Sequence, residues 1–225
     1  MDIKRAIKIF SPYLKERGFL KGSKKDIWFK DCGFYLIVVE IQPCMGIGFF
    51  LGIAVKFLWS GKNYITFDYY NIGYNDDHRI YPKIDPSPMG AVVFESKNLE
   101  REFKYLLFEL NRRICEYEEL SDLNLLLKNL KIQYEYCRIV KPQFADISNL
   151  GIVKILAEDF DSGMFDLRMI PEKSAEIKEL LSCDDKDKIN ARLLEIINET
   201  RRFISSSQKI KLKEIPSIIE CMRSN

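Results

Sequence analysis

Residues 47–59 carry a large apolar side chain at every odd position, whereas the even positions include two glycines, an alanine and a lysine. A repeat of two residues places these two sets on opposite faces of a β-strand. Residues 33–42 are rich in β-branched and aromatic side chains, and residues 42–46 carry the turn residues proline and glycine. The pattern predicts an antiparallel hairpin whose odd positions are buried together, namely Ile47, Phe49, Leu51, Ile53, Val55 and Phe57.

The same region is too interrupted to be a membrane helix. Its longest uncharged run, residues 41–55, has 15 residues, whereas a helix that spans the hydrocarbon core needs about 20. Lys4, Arg5 and Lys8 lie where a signal peptide would need an apolar stretch. The six cysteines are widely spaced and form no Cys-x-x-Cys pair, which favours reduced thiols over a disulfide framework. We expect a cytoplasmic protein with free thiols and no membrane partner.

The order of the predicted elements defines the fold class. A helix over residues 2–17 is followed by strands at 26–31, 33–42, 46–59 and 62–70, and short turns make neighbouring strands antiparallel. A short strand at 91–94 precedes a helix that we expect Ser96 to cap. Further helices follow, one of them over residues 148–160. The sequence predicts an α+β fold: an N-terminal helix, an antiparallel four- or five-stranded meander sheet and a mostly helical C-terminal half.

This order leaves two domain divisions open. In one, residues 1–120 form an α+β sheet domain and residues 121–225 form a helical region packed on it. In the other, residues 1–225 form a single domain.

Several short motifs near the N-terminus resemble a known family. They are Phe10-x-Pro12-x-Leu14-Lys15, Gly18-Phe19-x-Lys21-x-Ser23, Trp28-Phe29-Lys30, Gln42 at the end of the second strand, and Leu51-Gly52-Ile53. Together they resemble the bacterial family called domain of unknown function 4304, over about residues 5–58. The resemblance implies a soluble bacterial protein whose sheet forms early in the chain. It brings no established activity and no catalytic residues.

Charge is unevenly distributed along the chain. Residues 2–30 contain nine Lys and Arg against three Asp and Glu, and residues 158–187 contain four against ten. Solvated, mutually attractive faces are one interpretation of this pattern. A phosphate-contacting basic surface and an acidic surface for a basic protein partner are the other.

One group of residues is similar to a nuclease site. Asp85 precedes Glu95-Ser96-Lys97, and the prolines and glycine between them can turn the chain back. Two carboxylates can hold Mg²⁺ while a lysine orients the attacking water. The competing interpretation is that Glu95 and Lys97 are ordinary residues of a helix start. The sequence contains one histidine and no Cys-x-x-Cys pair, so it does not predict a zinc site. No motif predicts a cofactor.

The glycines of the third predicted strand mark a shallow face of the sheet. Glycine inside a strand commonly marks close approach by another backbone or a ligand. Either a helix packs on this face, or it is a groove that a partner enters. In the second case the predicted binding residues are Gly48, Gly52, Tyr70, Asp76, Asp77, His78 and Arg79.

These patterns favour a non-enzymatic binding protein of the bacterial cytosol that neutralises or regulates another protein, as immunity proteins do. The first alternative is a metal-dependent nuclease that uses Asp85, Glu95 and Lys97. The second is nucleic-acid binding without catalysis, through the basic N-terminal region and the tyrosines of residues 64–81.

Overall fold

The computed structural model describes residues 3–24, 26–44, 46–60, 78–140 and 147–218, and it confirms the predicted α+β class. The strands are β1 (Leu20–Lys21), β2 (Ile27–Asp31), β3 (Tyr35–Cys44), β4 (Gly48–Phe57), β5 (Arg79–Ile80) and β6 (Val92–Val93). The helices are α1 (Lys4–Glu16), α2 (Leu99–Glu118), α3 (Leu123–Val140), α4 (Ser148–Leu156), α5 (Phe160–Arg168), α6 (Ala175–Leu181) and α7 (Lys186–Gln208), with a 3-10 turn at Glu119–Ser121. The predicted strand at 62–70 lies outside the described residues.

The predicted hairpin is the centre of an antiparallel sheet. Strand order is β1-β2-β3-β4-β5, and β6 also pairs with β4. Strands β3 and β4 are paired along their whole length, from Tyr35 opposite Phe57 to Cys44 opposite Gly48. Because opposed residues of an antiparallel pair share a face, the odd positions of both strands point to one side and the even positions to the other.

Helices α1 and α2 cover the odd face of this hairpin. The Phe49 ring lies 6.2 Å from that of Phe10 in α1 and 5.9 Å from that of Phe103 in α2. The Tyr35 hydroxyl donates a hydrogen bond of 2.7 Å to the Tyr117 carbonyl of α2, and its burial raises the pKa of the Tyr35 phenol. Aromatic contacts and one buried hydrogen bond therefore fix both helices on this layer.

The even face is also buried over most of its length, and α7 reaches it. Leu36, Val38 and Ala54 have no exposed surface, and Lys56 is 1% exposed. Asp31 lies opposite Leu36 in the β2–β3 register, so its side chain shares this face. The Arg201 guanidinium of α7 forms a two-pronged ion pair with Asp31. The sheet thus lies between helices on both sides.

Three local predictions are wrong. Ile47 is 43% exposed because it lies in the hairpin turn, before β4 begins. The helix predicted over residues 148–160 is two helices, since Glu158 between them has the left-handed φ of 66°. Helix α2 begins after Asn98 rather than at a cap made by Ser96.

Within the described residues, every helix is too short or too polar to cross a lipid bilayer.

The described cysteines form no disulfide with one another, and they differ in burial. Cys32 and Cys44 are buried, whereas Cys115, Cys137 and Cys183 are half-buried. Burial raises the pKa of the Cys32 thiol to about 12. A thiol with a raised pKa holds little thiolate at neutral pH, and the thiolate is the reactive form.

We therefore expect Cys32 to resist alkylation in the native protein. At pH 8, iodoacetamide should modify the half-buried thiols of Cys115, Cys137 and Cys183 first, because they are more accessible and less desolvated. Peptide mass spectrometry over time measures this order, and the same reaction in denaturant is the control. Modification of Cys32 at the rate of Cys183 in the native protein would contradict the assigned burial.

Arg201 is the second test of the fold. It is 3% exposed and bonds to Asp31, to the Gly33 carbonyl at 2.7 Å and to the Lys213 carbonyl at 2.6 Å. We expect Arg201→Met to lower the free energy of unfolding by about 3 kcal/mol, near the low end for a broken buried pair. The low end applies because the Asp31 side chain is 32% exposed.

The neighbouring Arg202 provides a matched control. Its ion pair with Glu214 is exposed, with 55% and 60% of the two side chains accessible. Arg202→Met should therefore change the free energy of unfolding far less than Arg201→Met does. Urea unfolding of both variants makes the comparison, and equal losses would show that α7 is not held by Arg201.

Candidate functional site

Strand β6 closes the sheet surface at Gly48. A Cβ atom built on Gly48 would lie 1.8 Å from the Val92 carbonyl oxygen, so no other residue fits there unless the backbone moves. Gly48 is paired with Val93 in the β4–β6 ladder. The close approach predicted from this glycine is thus made by a strand of the same chain, and Gly48 itself is buried.

The imidazole of His78 covers Gly52. A Cβ atom on Gly52 would lie 2.8 Å from His78 Cδ2 and 3.4 Å from its Nε2. The backbone brings His78 here, because its carbonyl accepts a hydrogen bond of 2.9 Å from the Ile53 N–H, next to the β4–β5 pairing. Gly52 therefore provides the space in which the chain's single histidine lies across the sheet.

Polar and aromatic side chains surround this histidine at the turn end of the hairpin. The register puts Glu40 opposite Gly52 and Gln42 opposite Phe50, all on the even face. The Gln42 amide donates a 2.9 Å hydrogen bond to the Glu40 carboxylate. The Arg79 guanidinium lies 4.1 Å from the centroid of the Phe50 ring. We call this group the hairpin-end patch: Glu40, Gln42, Phe50, His78 and Arg79.

The hairpin-end patch differs in burial from the rest of its face. All five of its side chains are half-buried, whereas Leu36, Val38, Ala54 and Lys56 further along the same strands are buried. Electrostatically it combines a carboxylate, a guanidinium and an imidazole on a flat strand surface. Such a surface can form charge-assisted hydrogen bonds with a polar partner surface.

Part of the predicted binding surface is present in this patch. Gly52, His78 and Arg79 lie together, whereas Tyr70, Asp76 and Asp77 lie outside the described residues. Sequence reasoning missed three members of the patch, which are Glu40, Gln42 and Phe50. Extending the period of two across the hairpin would have found them, because their even positions place them on the face of Gly52.

The residues of the nuclease alternative lie in one neighbourhood. The Asp85 carboxylate accepts a 2.6 Å hydrogen bond from the Ser96 hydroxyl, which joins it to the segment that carries Glu95 and Lys97. Both Glu95 and Lys97 are exposed. Within the described residues, no group of three or more His, Cys, Asp or Glu side chains is arranged to hold a metal ion.

A buried carboxylate positions this loop. Glu102 of α2 is 1% exposed and accepts hydrogen bonds of 2.8–3.0 Å from the backbone N–H groups of Lys83, Ile84 and Asp85. Three donors satisfy the acceptor sites of a buried carboxylate, which would otherwise be costly to desolvate. Glu102 thus explains the position of Asp85 as a feature of the fold.

The two charged segments have ion-pair partners elsewhere in the chain. In the basic segment, Arg17 and Lys30 both pair with Glu118 of α2. In the acidic segment, Asp166 pairs with Lys154, and Glu179 pairs with Arg192 of α7. These ion pairs join helices to one another or, at Lys30, a strand to a helix. Lys15, Lys21 and Lys24 of the basic segment are exposed.

Comparisons with family models, with curated proteins and with solved structures give no match. Membership of the family that the N-terminal motifs resemble therefore stays a prediction. The candidate site is supported by its geometry alone.

The two glycines should respond differently to an added methyl group. Gly48→Ala places a Cβ against the Val92 backbone and should cost about 1–3 kcal/mol of unfolding free energy, because the β4–β6 pairing must shift. Gly52→Ala meets only a side-chain ring, which can rotate away, and should cost less. Urea unfolding measures both changes.

The position of the His78 ring gives an independent readout. Gly52→Ala should change the imidazole NMR shifts of His78, whereas Gly48→Ala should leave them close to those of the parent protein. An unchanged His78 signal in Gly52→Ala would show that the ring does not lie on Gly52.

Proposed function

We propose that this chain is a non-enzymatic binding protein of the bacterial cytosol that neutralises or regulates another protein, in the manner of an immunity protein. The partner would be a protein, and the hairpin-end patch would contact it. No cofactor enters this proposal.

The stack of Arg79 on Phe50 carries the proposal. The guanidinium lies 4.1 Å from the centroid of the ring, and both side chains are half-buried at the end of the sheet. Arginine and aromatic side chains are enriched among the residues that dominate interface energies. A stacked arginine is also restrained before binding, so less side-chain entropy is lost when the partner arrives.

The neighbouring groups supply specificity. The Glu40 carboxylate is oriented by the Gln42 amide at 2.9 Å, and the imidazole of His78 is placed by Gly52. Charges of both signs on a small surface favour a partner with the complementary arrangement and disfavour like charges. This combination supports recognition of one polar protein surface over general adhesion.

The compartment in the proposal is supported by the widely spaced thiols and by the resemblance of residues 5–58 to a bacterial family. The protein partner is supported by the patch, whose members come from the three strands β3, β4 and β5 and from His78, which directly precedes β5.

Photo-crosslinking in cells tests the proposal and captures the partner in the same step. Phe50 is replaced by photoreactive benzoylphenylalanine, and the same replacement is made at Phe108 of α2, which is 66% exposed and remote in sequence from the patch. We expect one defined protein adduct at position 50 that is absent at position 108. Mass spectrometry of the adduct identifies the partner.

Binding of the identified partner is then measured by calorimetry. Arg79→Ala should weaken the affinity at least tenfold, because it removes the stacked guanidinium. Arg101→Ala, which removes an exposed arginine of α2, should leave the affinity unchanged within about twofold. Equal losses in both variants, or the same adducts at positions 50 and 108, would contradict the proposal.

Two other experimental outcomes would replace the proposed function with one of its alternatives. A nucleic-acid adduct at position 50 would support nucleic-acid binding without catalysis. Cleavage of plasmid DNA that requires Mg²⁺ and is abolished by Glu95→Gln would support the nuclease built on Asp85, Glu95 and Lys97.

A further inference from the structure

We propose a second binding site, for an extended acidic segment of a protein partner, in the groove beside the β1 edge of the sheet. The groove has a volume of about 390 Å³. It is lined by Ser11 and Lys15 of α1, by residues 18–21 and by the buried Trp28 of β2.

The backbone of β1 is prepared for strand addition. β1 is the terminal strand of the sheet and pairs only with β2 among the described strands. The Gly22 N–H donates to the Ile27 carbonyl at 2.9 Å. Because hydrogen-bonded and non-bonded pairs alternate in an antiparallel ladder, the next pair, Lys21 with Trp28, is non-bonded. The N–H and C=O of Lys21 therefore point away from β2, towards an added strand.

The positive charge of the groove determines which peptide could add to β1 as a further strand. Lys15 and Lys21 line the groove, and both are exposed. The ammonium group of Lys21 is held 5.6 Å from the centroid of the Trp28 ring. Two amines beside a backbone edge that no further described strand pairs with favour a peptide that alternates carboxylate and apolar side chains. One set can meet the lysines while the other packs on the accessible side chain of Leu20.

The same geometry is less suited to a nucleic acid. Stacking of a base needs an accessible aromatic face, whereas Trp28 is 1% exposed and its ring faces the Lys21 ammonium. Phe19, the other aromatic residue of the groove, is 5% exposed. The apolar surface that is accessible is aliphatic, since Leu20 is 38% exposed.

This site is separate from the hairpin-end patch. In the strand order, β1 lies at one edge of the sheet and β5, which carries Arg79, at the other. Its test can therefore succeed or fail independently of the proposed function.

The probe is a fluorescein-labelled short peptide of alternating Glu and Val, titrated with the full chain and followed by fluorescence anisotropy. A peptide in which Pro replaces Val keeps the charges but loses backbone donors, and a peptide of alternating Lys and Val reverses the charges. We expect saturable binding of the Glu–Val peptide, with at least tenfold weaker binding of both controls. The amide NMR signal of Lys21 should shift on binding.

Two charge reversals locate the site. Lys21→Glu should weaken binding of the Glu–Val peptide at least tenfold. Lys24→Glu changes the net charge equally at an exposed lysine that does not line the groove, and it should change the affinity less than about twofold beyond the general salt-screened effect. Circular dichroism checks that both variants are folded.

Three results would overturn the inference. They are no saturable binding of the Glu–Val peptide, equal weakening by Lys21→Glu and Lys24→Glu, and tighter binding of a labelled single-stranded oligonucleotide at the groove. The last result would assign the groove to nucleic acid.

Discussion

The β3–β4 hairpin is buried over most of both faces, and the rest of the fold depends on this constraint. Ten opposed pairs run along it, and the odd face carries large apolar side chains that are buried except at Pro43 near the turn. A strand pair that is buried over most of both faces needs a covering layer on each side. Helices α1 and α2 supply one layer, and α7 contributes to the other. Even Lys56 of β4 is 1% exposed, and its ammonium group donates to the Ser60 hydroxyl at 2.6 Å.

Polar bonds between distant parts of the chain fix how these layers sit. Tyr35 bonds to the end of α2, the Trp59 indole N–H donates to Asn149 of α4 at 2.9 Å, and Arg201 joins α7 to Asp31. The side chains of Tyr35, Trp59 and Arg201 are buried, so the loss of a partner would leave an unpaired polar atom in the interior. Apolar side chains can shift against one another and stay in contact. These polar bonds form in only one alignment of the helices on the sheet.

The sequence predicted those parts of the fold that local periodicity determines. Alternation over residues 47–59 identified the hairpin, and the helical stripe after residue 96 identified α2. The sequence did not predict contacts between residues that lie far apart in the chain. Asp31 and Arg201 are 170 positions apart, and no local pattern pairs them. Gly48 and Gly52 indicated close approach, for which the two expectations were a covering helix or an entering partner. The Val92 backbone approaches Gly48 instead, and the His78 ring approaches Gly52. For the candidate site, Gly52, His78 and Arg79 were predicted, whereas Glu40, Gln42 and Phe50 needed the observed register.

A sheet covered on both faces leaves its edges and strand ends as the places where another molecule can reach it. Edge strands expose unpaired backbone groups and invite association, so proteins commonly keep them short or charged. Both edges of the described sheet follow that rule. β1 has two residues and carries Lys21, and β5, which shares its edge with the two-residue β6, has two residues and carries Arg79. In each case the cation lies over an aromatic ring of the adjoining strand, Trp28 or Phe50. At the two sites that we propose, the same contact would protect the edge from indiscriminate pairing and would also select the charge of what binds there. Protection and recognition would then be two consequences of one cation–aromatic contact at each edge of the described sheet.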